Sequence, residues 1–95
     1  DLISAEKALK LGFLNYVVEP AQLMDRAMEI AGKLAANGPI AVQAIRKSVR
    51  EVWGYPEAEA LKMEGTFSGP VFKTEDAKEG PKAFMEKREP VYKGR

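Results

Sequence analysis

The chain has 95 residues, of which 45% are hydrophobic, 31% charged and 8% aromatic, and this length predicts a single small domain. Its 15 Lys and Arg residues and 14 Asp and Glu residues are interspersed and give a net charge of +1, which argues against nucleic-acid and membrane-surface partners. Because no apolar run approaches the ~20 residues of a membrane span and no secretion signal is recognisable, we expect a cytoplasmic protein.

Two missing residue types narrow the chemistry further. The sequence holds no Cys and no His, which excludes disulfides, thiolate nucleophiles and His-based acid–base or metal chemistry. The glycines form no dinucleotide-binding or phosphate-loop motif, and we expect no cofactor. A chain this short buries only ~60–65% of the surface that its unfolded form exposes, so we expect it to assemble with a partner.

The first part of the chain predicts a short helix and an extended segment. Ser4 suits the N-cap of a helix over residues 5–11, and Gly12 suits the left-handed position that ends it. Residues 13–18 are rich in β-branched and aromatic side chains, which predicts a candidate edge strand closed by Pro20.

Three longer helices follow, separated by Gly and Pro. Apolar residues recur at spacings of three and four over residues 21–37 and 40–53, which predicts two amphipathic helices joined at Gly38-Pro39 and stopped by Gly54. Pro56 opens a third helix over residues 57–68. We expect Gly69-Pro70 to break or kink this helix, because a proline ring collides with the carbonyl four residues earlier.

The last helix is predicted over residues 75–88, with Thr74 as its N-cap and an interruption at Gly80-Pro81. Residues 89–95 predict an irregular tail. The short connections favour neighbouring helices packed roughly antiparallel, so the fold class is mainly α.

Three groups of polar or aromatic side chains each have a functional and a simpler interpretation. Basic residues on the second long helix suit a phosphate-bearing partner or a solvated face, and the aromatic pair after it suits a planar ligand or the edge of a core. Acidic residues at the start of the last helix suit a carboxylate pair or, more simply, the positive end of the helix dipole. These groups are Arg46, Lys47 and Arg50; Trp53 and Tyr55; and Glu75, Asp76 and Glu79.

Three stretches of sequence carry a family resemblance. They are Ile3-Ser4-Ala5-x-x-Ala8-x-x-x-Gly12-Phe13-Leu14-Asn15-x-Val17-Val18, the pair Gly38-Pro39, and Thr74-x-Asp76-x-x-Glu79-Gly80-x-x-Ala83-Phe84-x-Glu86-Lys87-Arg88-x-Pro90. Together they resemble the C-terminal part of the enoyl-CoA hydratase/isomerase (crotonase) family over essentially all 95 residues. The last stretch, continued through Val91-x-Lys93-Gly94-Arg95, is particularly similar to carnitinyl-CoA (crotonobetainyl-CoA) dehydratases.

The resemblance implies that this chain is the second part of a larger fold. Family members have an N-terminal β–β–α spiral with two glutamates and an oxyanion hole, followed by a helical region that builds a trimer or a dimer of trimers. We therefore expect residues 1–95 to be a helical trimerisation and active-site-covering region that lacks the spiral core. The implied substrate is an acyl-CoA thioester, and no catalytic or metal-binding residue carries over to this segment, so we expect the segment alone to be inactive.

Two residues do carry over from the family pattern. The resemblance maps contacts with the adenine and phosphate end of CoA in a neighbouring subunit onto Phe84 and Lys87. Three residues apart on a helix, the two side chains share one face, with a ring to stack and an ammonium for a phosphate. Their simpler roles are a buried core Phe and a solvated Lys.

The chain departs from the family pattern at Ser68-Gly69-Pro70, where an uninterrupted helix with a Phe at position 68 is usual. The family's hydratases, isomerases and hydrolases share the features of this segment. A free-standing helical interaction module without catalytic activity is the alternative that the residue chemistry permits.

Overall fold

The computed structural model describes residues 2–95, which form five α-helices and one 3₁₀ turn with no β-strand among them. The elements are α1 (Ala5–Lys10), the 3₁₀ turn (Pro20–Gln22), α2 (Leu23–Ala35), α3 (Pro39–Glu51), α4 (Glu57–Val71) and α5 (Glu75–Met85). The mainly helical fold class is therefore confirmed. No helix in the described range is long and apolar enough to cross a membrane.

Residues 2–32 belong to the first of two compact units, and the predicted signals around α1 are confirmed. The Lys7 N–H donates to the Ser4 hydroxyl oxygen at 3.2 Å, which caps the start of the helix. At its end Gly12 takes a positive φ of 79°, and the Phe13 N–H donates to the Ala8 carbonyl at 3.0 Å. Glycine adopts this left-handed conformation without the steric penalty that a Cβ brings.

The edge strand expected over residues 13–18 does not form within the described chain. A strand needs a partner for its backbone hydrogen bonds, and no second extended segment pairs with this one in the described residues. The segment is held instead by a side-chain contact, because the Arg26 guanidinium lies 4.0 Å from the centre of the Tyr16 ring.

The second unit, residues 33–95, contains the packed pair α3 and α4. Gly38 precedes α3 and Pro39 is its first residue, as predicted, and Gly54 takes a φ of 86° just beyond its end. Between the two helices the Lys47 ammonium lies 5.1 Å from the centre of the Phe67 ring.

The predicted break at Gly69-Pro70 is wrong, because α4 continues through both residues to Val71. Pro70 lacks an N–H, so the Thr66 carbonyl loses its usual helical donor. Pro70 is the last residue but one of α4, so only this one hydrogen bond is lost, next to the last turn, where carbonyls lack intrahelical partners and other donors take over. One such donor is the Thr74 hydroxyl, which donates to the Val71 carbonyl at 2.7 Å.

The predicted interruption of α5 at Gly80-Pro81 is also wrong, because α5 runs unbroken across both residues. Gly80 meets a packing requirement here: a Cβ on Gly80 would lie 3.2 Å from the Tyr92 hydroxyl oxygen. Contacts on both sides of Pro81 hold the helix together, namely the Thr74 cap before it and the burial of Ala83, which is 1% exposed. The helix ends at Met85, three residues before the predicted end.

The irregular tail predicted over residues 89–95 is tied to the first turn of α5. The Asp76 carboxylate accepts hydrogen bonds from the N–H groups of Lys93 and Gly94, at 2.7 and 2.8 Å. In return, the Asp76 N–H donates to the Arg95 carbonyl at 3.1 Å. We call these contacts, together with the hydrogen bonds that Glu79 accepts from Arg88 and from the Val91 N–H, the tail clamp.

Tyr92 extends the tail clamp towards the start of α3. A Cβ on Gly38 would lie 3.7 Å from Cδ1 of Tyr92, and a Cβ on Gly94 would lie 3.2 Å from the Pro39 ring. The tail therefore contacts the beginnings of both α3 and α5, and small residues at Gly38 and Gly80 leave room for the tyrosine ring.

The apolar faces of the helices are largely uncovered within the chain. Ala83 is the one apolar residue classed as buried among residues 2–95, whereas Trp53, Phe72, Phe84 and Met85 are each at least 76% exposed. The described residues thus have little core of their own, and polar contacts such as the tail clamp carry more of the internal structure than is usual.

We expect Asp76→Ala to release the tail. Asp76 is 7% exposed, and loss of two hydrogen bonds to a buried carboxylate costs about 2 kcal/mol of local stability, equivalent to about a 30-fold loss of amide protection. Hydrogen exchange at the amides of Lys93 and Gly94 measures this loss.

Glu75→Gln is the matched control, because the Glu75–Arg95 ion pair is about two-thirds exposed on both sides and contributes little. Equal protection of the two amides in wild type and Asp76→Ala would contradict the role given to Asp76.

Candidate functional site

The two residues expected to contact CoA flank the end of α5. Phe84 lies in the last turn and is 81% exposed, so it is not a core residue of the described chain. Lys87 is exposed and lies two residues beyond the helix, so the expectation that the pair shares a helical face is wrong. The structure does bring their backbones together, since the Lys87 N–H donates to the Phe84 carbonyl at 3.2 Å.

Lys87 occupies the left-handed position that ends α5. Its φ is 53°, and it is the one non-glycine residue with a positive φ among residues 2–95. The next N–H, that of Arg88, reaches back to the Ala83 carbonyl at 3.0 Å, which completes the hydrogen-bond pattern of a Schellman motif. Gly12 fills the equivalent position after α1, so Lys87 holds a position where glycine is the usual residue.

Arg88 is the most highly connected side chain near this turn. Its Nη1 and Nη2 donate to the two carboxylate oxygens of Glu79 at 2.5 and 3.0 Å, and its Nε donates to Glu86 at 2.6 Å. Nη1 also donates to the Glu89 carbonyl at 3.1 Å. The guanidinium thus joins the middle of α5 to the residues on either side of Lys87.

Glu79 completes the tail clamp. Besides Arg88, its Oε1 accepts the Val91 N–H at 2.9 Å. The Arg88 hydrogen bonds, followed by that of Val91, lower the pKa of Glu79 to about 2, since both stabilise the ionised carboxylate. The same contact with Glu79, followed by that with Glu86, raises the pKa of Arg88.

The acidic residues at the start of α5 therefore bind the tail rather than a ligand. Asp76 and Glu79 accept backbone N–H groups of the tail, and Glu75 pairs with Arg95 at 3.1 Å. In the described part of the chain, no group of three or more Asp, Glu, His or Cys residues is arranged to hold a metal ion. The structure places Glu75 and Asp76 in the first turn of α5, and neither alternative considered from the sequence included the contacts of these acids with the tail.

Of the other two groups considered in the sequence, the basic one lines an open depression of about 420 Å³ along α3, together with Gln43 and Glu51. Lys47 contacts Phe67 and lies 4.0 Å from Glu51, so an acidic residue interrupts the basic face of α3. Trp53 is 86% and Tyr55 51% exposed, so neither ring seals a core edge within the chain.

An apolar groove of about 580 Å³ lies in the second unit, lined in part by Ile40, Val42, Ile45, Val71 and Phe72. A second groove, of about 410 Å³, shares three of these residues. Of the polar side chains at the first groove, Thr74 caps α5 and Asp76 binds the tail. The grooves offer mainly apolar surface for packing, with Arg46 at the first and Glu64 at the second.

Sequence reasoning missed Arg88 and Asp76 as organising residues. Asp76 binds backbone N–H groups 17 and 18 positions away, and backbone donors leave no trace in a sequence. The pairing of Glu79 with Arg88 spans nine residues, more than twice the spacing at which two side chains become neighbours on a helix.

Comparison with known proteins gives a consistent result. A family model described as enoyl-CoA hydratase/isomerase matches residues 1–95. The chain is 45% identical to the enoyl-CoA hydratase EchA19 of Mycobacterium tuberculosis over 93 residues, which is 98% of this chain and 35% of that protein. It is 42% identical to the carnitinyl-CoA dehydratase of Escherichia coli, covering 98% of this chain and 37% of that protein.

Solved structures agree with the sequence comparison. The chain superposes with a TM-score of 0.92 on an enoyl-CoA hydratase/isomerase from Mycobacterium paratuberculosis, at 41% identity and covering 98% of this chain and 37% of that one. The TM-score is 0.94 for an enoyl-CoA hydratase from Bacillus anthracis, at 40% identity over 98% of this chain and 36% of that one. The chain thus spans little more than a third of the length of the relatives it matches.

The lowered pKa of Glu79 makes part of the tail clamp sensitive to acid. Because this pKa is about 2 in the folded state and 4.5 ordinarily, the Arg88 and Val91 contacts stabilise the tail fully above about pH 4.5 and lose this effect as the pH falls towards 2. The protection factor of the Val91 amide, corrected for intrinsic exchange, should therefore fall through this interval.

The comparison variant is Glu79→Gln, which lacks the titrating group and should show the lower protection already at neutral pH. A fall of the same size in Glu79→Gln would assign the acid sensitivity to other carboxylates and contradict the prediction.

Proposed function

Since the chain belongs to the enoyl-CoA hydratase/isomerase family, we propose that it is the C-terminal helical region of an enzyme that adds water to, or removes it from, an acyl-CoA thioester. The relatives named above are a hydratase and a dehydratase, two directions of one type of lyase reaction. In this proposal residues 1–95 form an oligomerisation and active-site-covering region of a cytoplasmic enzyme. Its partners are further copies of itself, as a trimer or a dimer of trimers, and acyl-CoA.

The exposed apolar surface carries the assembly part of the proposal. Soluble monomers rarely expose contiguous apolar patches larger than a few hundred Å². Here Leu34, Ile45, Val49 and Phe72 are each more than half exposed, and the grooves beside them are apolar. Such faces are stable in water when another part of the enzyme or a neighbouring subunit covers them.

The chemical step belongs to residues outside this segment. Hydration of an enoyl thioester needs a carboxylate to activate water and N–H donors aimed at the thioester oxygen, where negative charge develops. The carboxylates of Asp76 and Glu79 are both committed to the tail clamp. We therefore assign no catalytic residue to the segment and propose that it supplies binding surface and shape.

Phe84 and Lys87 are the residues proposed to meet CoA. An exposed phenyl ring offers a face on which a purine stacks, and an exposed ammonium attracts the phosphates. The purine and the phosphates of CoA lie far from its thioester. Contacts of this kind hold ground state and transition state equally well.

The full-length protein tests the proposed reaction directly. We expect it to consume crotonyl-CoA, measured by loss of absorbance of the conjugated thioester, whereas chain 1–95 alone should show only the uncatalysed rate. An inactive full-length protein that binds no acyl-CoA would favour the alternative, a helical interaction module. Turnover by the segment alone that is lost in Glu79→Gln would contradict the placement of the chemistry elsewhere.

Lys87→Ala in the full-length protein tests the CoA contact. We expect KM for crotonyl-CoA to rise by up to about fivefold with kcat nearly unchanged, because an exposed ion pair contributes about 1 kcal/mol or less. Added salt should reduce the difference, since it screens the contact in wild type.

Two further variants are compared with Lys87→Ala. Phe84→Ala should also raise KM, and it should change the stability of the segment little because the ring is 81% exposed. Lys62→Ala removes an exposed lysine from α4 and should leave both constants unchanged. A tenfold fall in kcat with constant KM in Lys87→Ala would show that the CoA-end role is wrong.

A further inference from the structure

Lys87 holds its position against an unfavourable backbone conformation. Its φ of 53° lies in the left-handed region, where a side chain with a Cβ is strained. Residues in such conformations persist when their surroundings hold them there, and they cluster at functional sites. Contacts of the neighbouring residues hold this turn, and they also leave the Lys87 ammonium without an ion pair in the described chain.

The contacts that fix the turn converge on Arg88. Its backbone N–H closes the Schellman motif on the Ala83 carbonyl, and its guanidinium is bound through two parallel hydrogen bonds to Glu79. Two parallel bonds fix the orientation of a guanidinium as well as its distance. The residue after Lys87 is therefore anchored to α5 by main chain and side chain together.

Arg88 also binds two acidic side chains that would otherwise be available to pair with Lys87. Glu86, the residue before Lys87, gives its carboxylate to Arg88 Nε at 2.6 Å. Glu79 is likewise paired with Arg88, and Lys87 makes no ion pair within the described residues. The carboxylates of Glu79 and Glu86 are thus both held by Arg88 and do not pair with the Lys87 ammonium.

We propose that Arg88, held by Glu79 and Glu86, is a positioning residue for Lys87: it fixes the left-handed turn and keeps Glu86 from pairing with the Lys87 ammonium. This inference rests on the proposed contact of Lys87 with a CoA phosphate. Arg88 itself need not touch the substrate, and Glu79 acts by holding the Arg88 guanidinium.

The test compares two substrates of the full-length protein, crotonyl-CoA and crotonyl-pantetheine, which lacks the phosphate and adenine end. Arg88→Ala should raise KM for crotonyl-CoA by about as much as Lys87→Ala does, up to about fivefold, with kcat little changed. On crotonyl-pantetheine kcat/KM should stay within about twofold of wild type, because there is no phosphate for Lys87 to meet.

Combined variants separate positioning from general support of the fold. Arg88→Ala added to Lys87→Ala should raise KM no further, because the two residues act through one ammonium. Glu86→Gln added to Arg88→Ala should restore part of the affinity, since it removes the carboxylate set free. If Arg88→Ala does not fold, Glu79→Gln with the same pair of substrates takes its place and should show the same selective rise in KM.

The outcomes distinguish the inference from the proposed function. If Lys87→Ala leaves KM for crotonyl-CoA unchanged, the CoA contact is wrong and the inference falls with it. If Lys87→Ala raises KM but Arg88→Ala does not, or if their effects add fully, the contact stands and the positioning role is wrong. An equal loss of kcat/KM on both substrates in Arg88→Ala would make the residue structural and would also overturn the inference.

Discussion

The second unit of the structure depends on two carboxylates that bind main-chain N–H groups distant in sequence. Asp76 and Glu79 accept the N–H groups of Lys93, Gly94 and Val91, and through them the tail runs back along α5. A carboxylate that accepts several backbone N–H groups forms charge-assisted hydrogen bonds, which are stronger than those between neutral groups. Among the described apolar residues only Ala83 is buried, so these polar contacts are what position the end of α5 and the tail.

The same arrangement explains why α5 tolerates a proline. A proline in a helix interior costs ~3 kcal/mol or more, and an isolated helix of this length would be broken by it. Here Gly80 and Pro81 lie between the Thr74 cap and the buried Ala83, while the Tyr92 ring occupies the space that the missing Gly80 side chain leaves. Tertiary contacts therefore override the local preference of the Gly-Pro pair.

The sequence predicted the local features well because each depends on neighbours within four residues. Ser4 and Thr74 were identified as caps and Gly12 as a left-handed end, and the structure has them in those roles. The breaks expected at Gly69-Pro70 and Gly80-Pro81 and the end of α5 were predicted wrongly, because these outcomes depend on other contacts. These are the Thr74 hydroxyl beside the end of α4, and the Tyr92 ring and the Arg88 N–H at α5. The candidate site residues came from the family resemblance, whereas the left-handed conformation of Lys87 follows from Schellman hydrogen bonds that no periodicity reveals.

The polar character of the tail clamp has a thermal consequence. Opening it exposes carboxylates, backbone N–H groups and a single tyrosine ring, so little apolar area enters water and the heat-capacity change is small. Covering the apolar faces of α3 and α4 has the opposite signature, a large heat-capacity change and a strength that varies with temperature. Contacts within the segment and those of the proposed assembly should thus respond differently to cooling: the hydrophobic contribution to the proposed assembly weakens in the cold, while the tail stays bound to α5.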